Sequence, residues 1–223
     1  MSARDVILGK VRKSLGAGED SQRLEAVWAR MMNAPPGVVP ARGQLDVDAR
    51  VKLFCDMAVG AAASVIRVAG DNAVPGAVSD YLRSRNLAAK VRMGGDRRLK
   101  NMPWVDQRNL QIRHGPSDGE DEVGVSHAAA GIAESGTLVL YSGKDNPTTL
   151  NFLPDHHIVI VQAKDIAGDL EAAMSATRQR YGKGEMPRTM NFITGPSRSG
   201  DIEQTLLLGA HGPRALHVIV VEG

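Results

Sequence analysis

His157-Ile158-Val159-Ile160-Val161 and Leu216-His217-Val218-Ile219-Val220-Val221 are two nearly uninterrupted apolar runs in the last third of the sequence. Runs of this kind, rich in β-branched residues, suit strands buried on both faces, as in parallel sheets covered by helices. Outward from them the pattern alternates. Ser64-Val65-Ile66-Arg67-Val68, Thr137-Leu138-Val139-Leu140-Tyr141 and Met190-Asn191-Phe192-Ile193 read as further strands, with a short one at about 88–91. Helices are expected at about 46–62, after Gly70-Asp71-Asn72 to about 85, at 166–180, and at 202–208 with Gly209 as its stop. The expected fold class is α/β, an open, mostly parallel sheet with its ligand site at the carboxyl ends of the strands.

Ahead of this pattern, Ile7, Val11 and Leu15 form one helical stripe, and Leu24, Val27, Trp28 and Met31 a second. Ala34-Pro35-Pro36-Gly37-Val38-Val39-Pro40 then ends helical structure, because three prolines in six residues remove donors and fix φ. Residues 1–40 are therefore expected to be a helical arm and Pro-rich linker, and 41–223 the α/β domain. Two isolated helices cannot bury their own stripes, so the arm is expected to make a subunit contact.

The 223 residues suffice for one large domain whose core needs no disulfide or structural metal. Cys55 is the single cysteine, too few for an internal disulfide, a zinc knuckle or a cysteine-held iron–sulfur cluster. Neither a membrane-length apolar run nor the apolar core of a signal peptide is visible, so a cytoplasmic location is expected. The net charge of +2 and the eight scattered aromatics argue against a nucleic-acid partner. Locally, residues 83–113 hold nine Lys or Arg against Asp96 and Asp106, a solvated face or a place for an anion.

The glycine-rich nucleotide loops, the zinc-protease helix and the serine-hydrolase elbow are all missing. His156 and His157 are adjacent, so on a strand they point to opposite faces and cannot chelate one metal. Two segments carry more chemistry. In Gly131-Ile132-Ala133-Glu134-Ser135-Gly136-Thr137, Glu134 sits in a small-residue turn before a buried strand, as a candidate base or nucleophile or as the cap of a backbone. Ser135, Gly136 and Thr137 are candidate substrate contacts, because small residues let a ligand approach the backbone. In the second, Thr194, Gly195, Pro196, Ser197 and Arg198 lie between a strand and the expected helix, where N–H groups and a guanidinium attract a carboxylate. Both segments are expected to meet in one pocket at the carboxyl ends of neighbouring strands, with no metal.

Together, Gly124-Val125-Ser126-His127-Ala128-Ala129-Ala130 running on into the Glu134 segment, Leu153-Pro154 with His157, residues 193–204, and Leu208-Gly209-Ala210-His211-Gly212-Pro213 carry a resemblance. The chain resembles the lactate-utilisation (LUD) domain family, in its protein C branch. The resemblance implies a fold like that of ribose-phosphate isomerases and coenzyme A transferases, with function fixed far less than fold. It also implies oxidation of L-lactate to pyruvate beside two partner proteins, one or both holding iron–sulfur clusters. This chain would be the cluster-free subunit without a cofactor of its own, binding a small carboxylate such as L-lactate or pyruvate, or serving assembly. The alternatives are an acyl or coenzyme A transferase-like enzyme using Glu134, and an interaction subunit without a ligand.

Overall fold

The computed structural model describes residues 2–16, 21–33, 35, 37–182, 184–200 and 206–223. The chain divides into two compact units, Met1–Val38 and Val39–Gly223. In the first, α1 (Ala3–Ser14) opens with a capping box between Ser2 and Asp5, and α2 is Ser21–Asn33. Neither helix has a buried residue, and Ile7, Val11, Leu15, Leu24, Trp28 and Met31 are all exposed.

The second unit runs α3 (Val47–Gly60), β1 (Ser64–Val68), α4 (Val74–Ser84), β2 (Lys90–Met93), α5 (Arg97–Lys100), β3 (Gln111–His114), β4 (Val123–His127), β5 (Ala130–Ile132) and β6 (Thr137–Tyr141). It continues with α6 (Thr149–Phe152), β7 (His156–Gln162), β8 (Ile166–Ala167), α7 (Leu170–Tyr181), β9 (Met190–Ile193), β10 (Arg198–Gly200), β11 (Leu206–Leu208) and β12 (Ala215–Val221). Six strands form one sheet in the order β1-β12-β7-β4-β2-β3, and every pairing within it is parallel. The apolar runs His157–Val161 and Leu216–Val221 lie in two adjacent interior strands of this sheet, β7 and β12. Along β7, Ile158 and Ile160 pack with Val78 and Leu82 of α4, while Val159 and Val161 pack with Val51 and Phe54 of α3. This alternation buries both faces, which is why the runs lack polar interruptions.

A second sheet, β8-β5-β6-β9, is not anticipated by the sequence reading. β6 pairs antiparallel with both β5 and β9, so Thr137–Tyr141 and Met190–Ile193 are strands as expected but lie outside the parallel sheet. The hairpin forms because Gly136 takes φ 65° in the β5–β6 turn. Leu138 and Leu140 then pack toward α3, and Val139 toward Ala173 of α7. The layers are α4, the parallel sheet, α3 with the second sheet, and α7.

The helix expected at 202–208 is corrected in its last turn, residues 202–205 lying outside the described residues. Leu206–Leu208 is strand β11, paired antiparallel with β10. Gly209 caps no helix there; its N–H donates to Ser197 O at 3.0 Å and extends the ladder. Similarly, residues 166–167 of the expected 166–180 helix form β8, and α7 starts after its N-cap Asp169.

Candidate functional site

Three polar side chains are buried where β4, α6 and β7 meet: Ser126, Asn151 and His157, each 1% exposed. The Ser126 hydroxyl donates to Asn151 Oδ1 at 3.2 Å and lies 3.0 Å from His157 Nε2. A hydroxyl has one hydrogen, and here the amide carbonyl takes it, so the bond to the ring is donated by Nε2–H. With the amide oriented this way, the assigned tautomer leaves His157 Nδ1 as a bare lone pair. Neither Nδ1 of His157 nor Nδ2 of Asn151 has a hydrogen-bond partner among the described residues. Burial lowers the His157 pKa to about 3, so the ring is a neutral acceptor at physiological pH.

His157 and Asn151 line a cavity of about 270 Å³, walled by residues 194–198, Phe152, Phe192 and Pro213. The two residues that carry an unspent buried acceptor and donor thus line a space of small-ligand size, whose other polar groups are Thr194, Ser197, Arg198 and His211. The loop is held by its own contacts. Ser197 N–H donates to Pro213 O at 2.8 Å, and Arg198 Nη2 donates to Ala61 O at the end of α3. Gly195, at φ 71°, lies so close to α3 that an added Cβ would sit 2.0 Å from Ala61 O. That close approach serves packing; the glycine fits a neighbouring helix end.

The placement of this loop departs from the expectation. His157 and Leu216 are the second residues of β7 and β12, so the cavity lies at the amino ends of the parallel strands. The cause is the second sheet, which runs β9 antiparallel to β6 and so delivers the loop there. The Glu134 turn reaches the same neighbourhood through a hydroxyl chain, Ser135 Oγ to Thr137 Oγ1 at 2.7 Å and Thr137 Oγ1 to Thr194 Oγ1 at 2.6 Å. However, Glu134, Ser135, Gly136 and Thr137 do not line the cavity. Gly136 again accommodates α3, where a Cβ would sit 2.3 Å from Ala58 N.

Glu134 itself is turned to α7: its Oε1 accepts from Leu170 N–H at 3.0 Å, beside Asp169, which caps Ala172 N–H at 2.8 Å. Two acidic side chains at this helix start satisfy orphan donors and complement the dipole. Glu134→Ala should therefore lower unfolding free energy by about 1 kcal/mol. Glu134→Gln, which keeps a carbonyl acceptor, should stay near wild type in urea titration. Equal losses in both variants would deny the cap.

The sequence names Ser126 and His157 as carriers of the family resemblance and not as site residues, and it does not single out Asn151. The available signal was Ser126 and His127 interrupting an apolar strand; Asn151, on a one-turn helix, gives none.

Comparison with known proteins follows the same residues. Lactate utilization protein C of Geobacillus sp. (strain WCH70) is 35% identical over 125 residues, 55% of this chain and 46% of the relative. The protein of the same name from Bacillus subtilis (strain 168) is 40% identical over 100 residues, 44% of this chain and 42% of the relative. The matched segments thus span less than half the length of these relatives. A crystal structure of a DUF162 family protein from Deinococcus radiodurans superposes with a TM-score of 0.60 at 21% identity, covering 79% of this chain and 99% of that one. The likeness is one of fold: mixed α/β with a mostly parallel sheet. The LUD domain model matches residues 118–221, the segment that holds Ser126, Asn151, His157 and the 194–198 loop. Over residues 118–221 this chain is similar to LUD domains.

Proposed function

We propose that this chain serves lactate utilization as the subunit that holds a small 2-hydroxy carboxylate, in the cavity between His157, Asn151 and the 194–198 loop. The observation that carries the reading is the pair of unspent buried groups, His157 Nδ1 and Asn151 Nδ2. L-lactate offers a hydroxyl to donate to Nδ1 and oxygens to accept from Nδ2, while its carboxylate suits the Arg198 guanidinium. A buried polar pair with no internal partner costs about 1–3 kcal/mol per group, which a ligand recovers on binding. With a pKa of about 3, His157 orients the hydroxyl and does not take its proton.

The oxidation itself belongs, in this reading, to partner subunits with iron–sulfur clusters in a three-protein system. Cys55, a half-buried thiol on α3, is the single cysteine, too few to hold an iron–sulfur cluster within this chain. The exposed apolar stripes of α1 and α2 fit a subunit contact. No helix among the described residues is long and apolar enough to cross a membrane, in keeping with our placing the complex in the cytoplasm. The transferase alternative needs Glu134 as nucleophile, and its bond to Leu170 N–H together with its place outside the cavity favours the binding reading.

Calorimetry with the full chain tests this. L-lactate should bind more tightly than pyruvate, which lacks the hydroxyl, and Arg198→Ala should weaken both by about ten- to hundredfold, as expected for a charge-assisted hydrogen bond. Binding of a coenzyme A thioester instead would support the transferase, and absence of any binding an interaction subunit.

A further inference from the structure

A second cavity, of about 460 Å³, lies at the opposite ends of the parallel strands, beside the carboxyl ends of β2 and β4. These neighbouring strands diverge in connection: β2 leads outward to β3, and β4 leads inward to β7. Open parallel sheets place ligands at such a switch point. Its lining includes His127, the last residue of β4 and 1% exposed. His127 Nδ1 lies 2.7 Å from Ala128 O. A carbonyl only accepts, so Nδ1 carries the hydrogen and Nε2 is bare. Nε2 is buried and has no partner among the described residues.

Four cations line the same cavity: Arg97 and Arg98 of α5, Lys144 from the loop after β6, and Arg180 of α7. Arg98 is a fixed wall, donating to Ala128 O at 2.9 Å and pairing with Asp96 at 2.7 Å. That pairing neutralises one of the two carboxylates in the lining; the other is Asp145. Arg97, Lys144 and Arg180 are exposed, and Arg180 rests over the Tyr141 ring at 5.4 Å. An excess of positive charge thus lines the same cavity as a buried residue whose Nε2 lone pair is unpaired among the described residues. A simple carboxylate or sulfate supplies the charge and lacks the hydrogen, whereas the monoanion of a phosphate monoester carries both on one group.

We propose that this cavity is a second ligand site that takes a phosphate monoester, its P–O–H donating to His127 Nε2 and its remaining oxygens meeting Arg97, Lys144 and Arg180. Monoesters retain one such hydrogen below a second pKa of about 6. Burial, helped by the nearby Arg98 charge, lowers the His127 pKa from its ordinary value and so favours the neutral, accepting ring. The site stands independently of the lactate cavity.

Methyl phosphate and methyl sulfate at pH 5.5 make a matched pair, both mainly monoanions and only the first with an O–H. Titrated into the full chain, methyl phosphate should bind about three- to tenfold more tightly, the span of one neutral hydrogen bond. The surface double variant Lys144→Ala/Arg180→Ala should weaken both probes about fivefold or more while leaving L-lactate binding unchanged. His127→Leu should erase the preference for phosphate. Absence of binding by either probe, equal affinity of the two for the wild type, or indifference to the double variant each overturns the proposal. The wild-type comparison and the double variant decide the matter even where His127→Leu fails to fold.

Discussion

Between pH 6.5 and 4.5 the folded chain should lose about 5 kcal/mol of stability, from two histidines alone. His157 and His217 are buried neutral, with burial lowering their pKa to about 3 and about 4 from 6.5. His217 stacks on Tyr81 at 4.3 Å, and its Nδ1 lies 2.8 Å from Ser64 Oγ. In the unfolded chain each ring gains a proton as pH falls through about 6.5, while the folded rings remain neutral. The unfolded state then binds more protons, so stability is fully present above 6.5 and falls by about 1.4 kcal/mol per pH unit per ring. The loss continues until each folded pKa is passed. Burial also lowers the pKa of His127 and His156, which adds in the same direction. Against a typical total of about 5–15 kcal/mol, acid unfolding is expected between pH 5 and 4. Urea midpoints at pH 7, 6, 5 and 4.5 measure this; a flat series would mean that these rings are solvated.

Gly195→Ala should cost about 2–5 kcal/mol and abolish L-lactate binding. Two effects combine: a left-handed backbone at φ 71° and a Cβ placed 2.0 Å from a backbone oxygen, Ala61 O. The first costs about 1–2 kcal/mol and the second about 1–3. Since the obstacle is backbone at the end of α3, relief must come from moving the 194–198 loop, and with it Arg198. Gly60→Ala is the control on the same helix, where an added Cβ meets nothing within 4 Å. It should be neutral or mildly stabilising through helix propensity. Thermal melts with lactate calorimetry on the two variants check both halves, and equal behaviour would remove the loop from the site.

The parallel sheet was legible because β7 and β12 are buried on both faces and therefore spell uninterrupted apolar runs. The second sheet was not, since Thr137–Tyr141 is equally apolar and nothing local distinguishes an antiparallel neighbour from a parallel one. The same gap misplaced the 194–198 loop, whose position depends on the direction of β9. Gly136 reads as a place of close approach and Gly195 as part of an anion-attracting loop, and at both the structure supplies an approaching group, the end of α3. Glu134 in a small-residue turn reads alike as nucleophile or as cap, and only the position of Leu170 N–H separates them. Asn151 and Ser126 gain their meaning from a contact across 25 residues of sequence, beyond any spacing rule.

The nitrogen chemical shifts of the His157 ring, followed by NMR during titration with L-lactate, test most directly whether the cavity holds a 2-hydroxy acid. A ring with bare Nδ1 and protonated Nε2 should show two well-separated resonances, and L-lactate should move the Nδ1 signal as its hydroxyl donates there. Pyruvate, with no hydroxyl, should leave that signal nearly in place. An Nδ1 resonance that is unmoved by saturating lactate, or that moves equally with both ligands, would contradict the assignment of this cavity to the substrate hydroxyl.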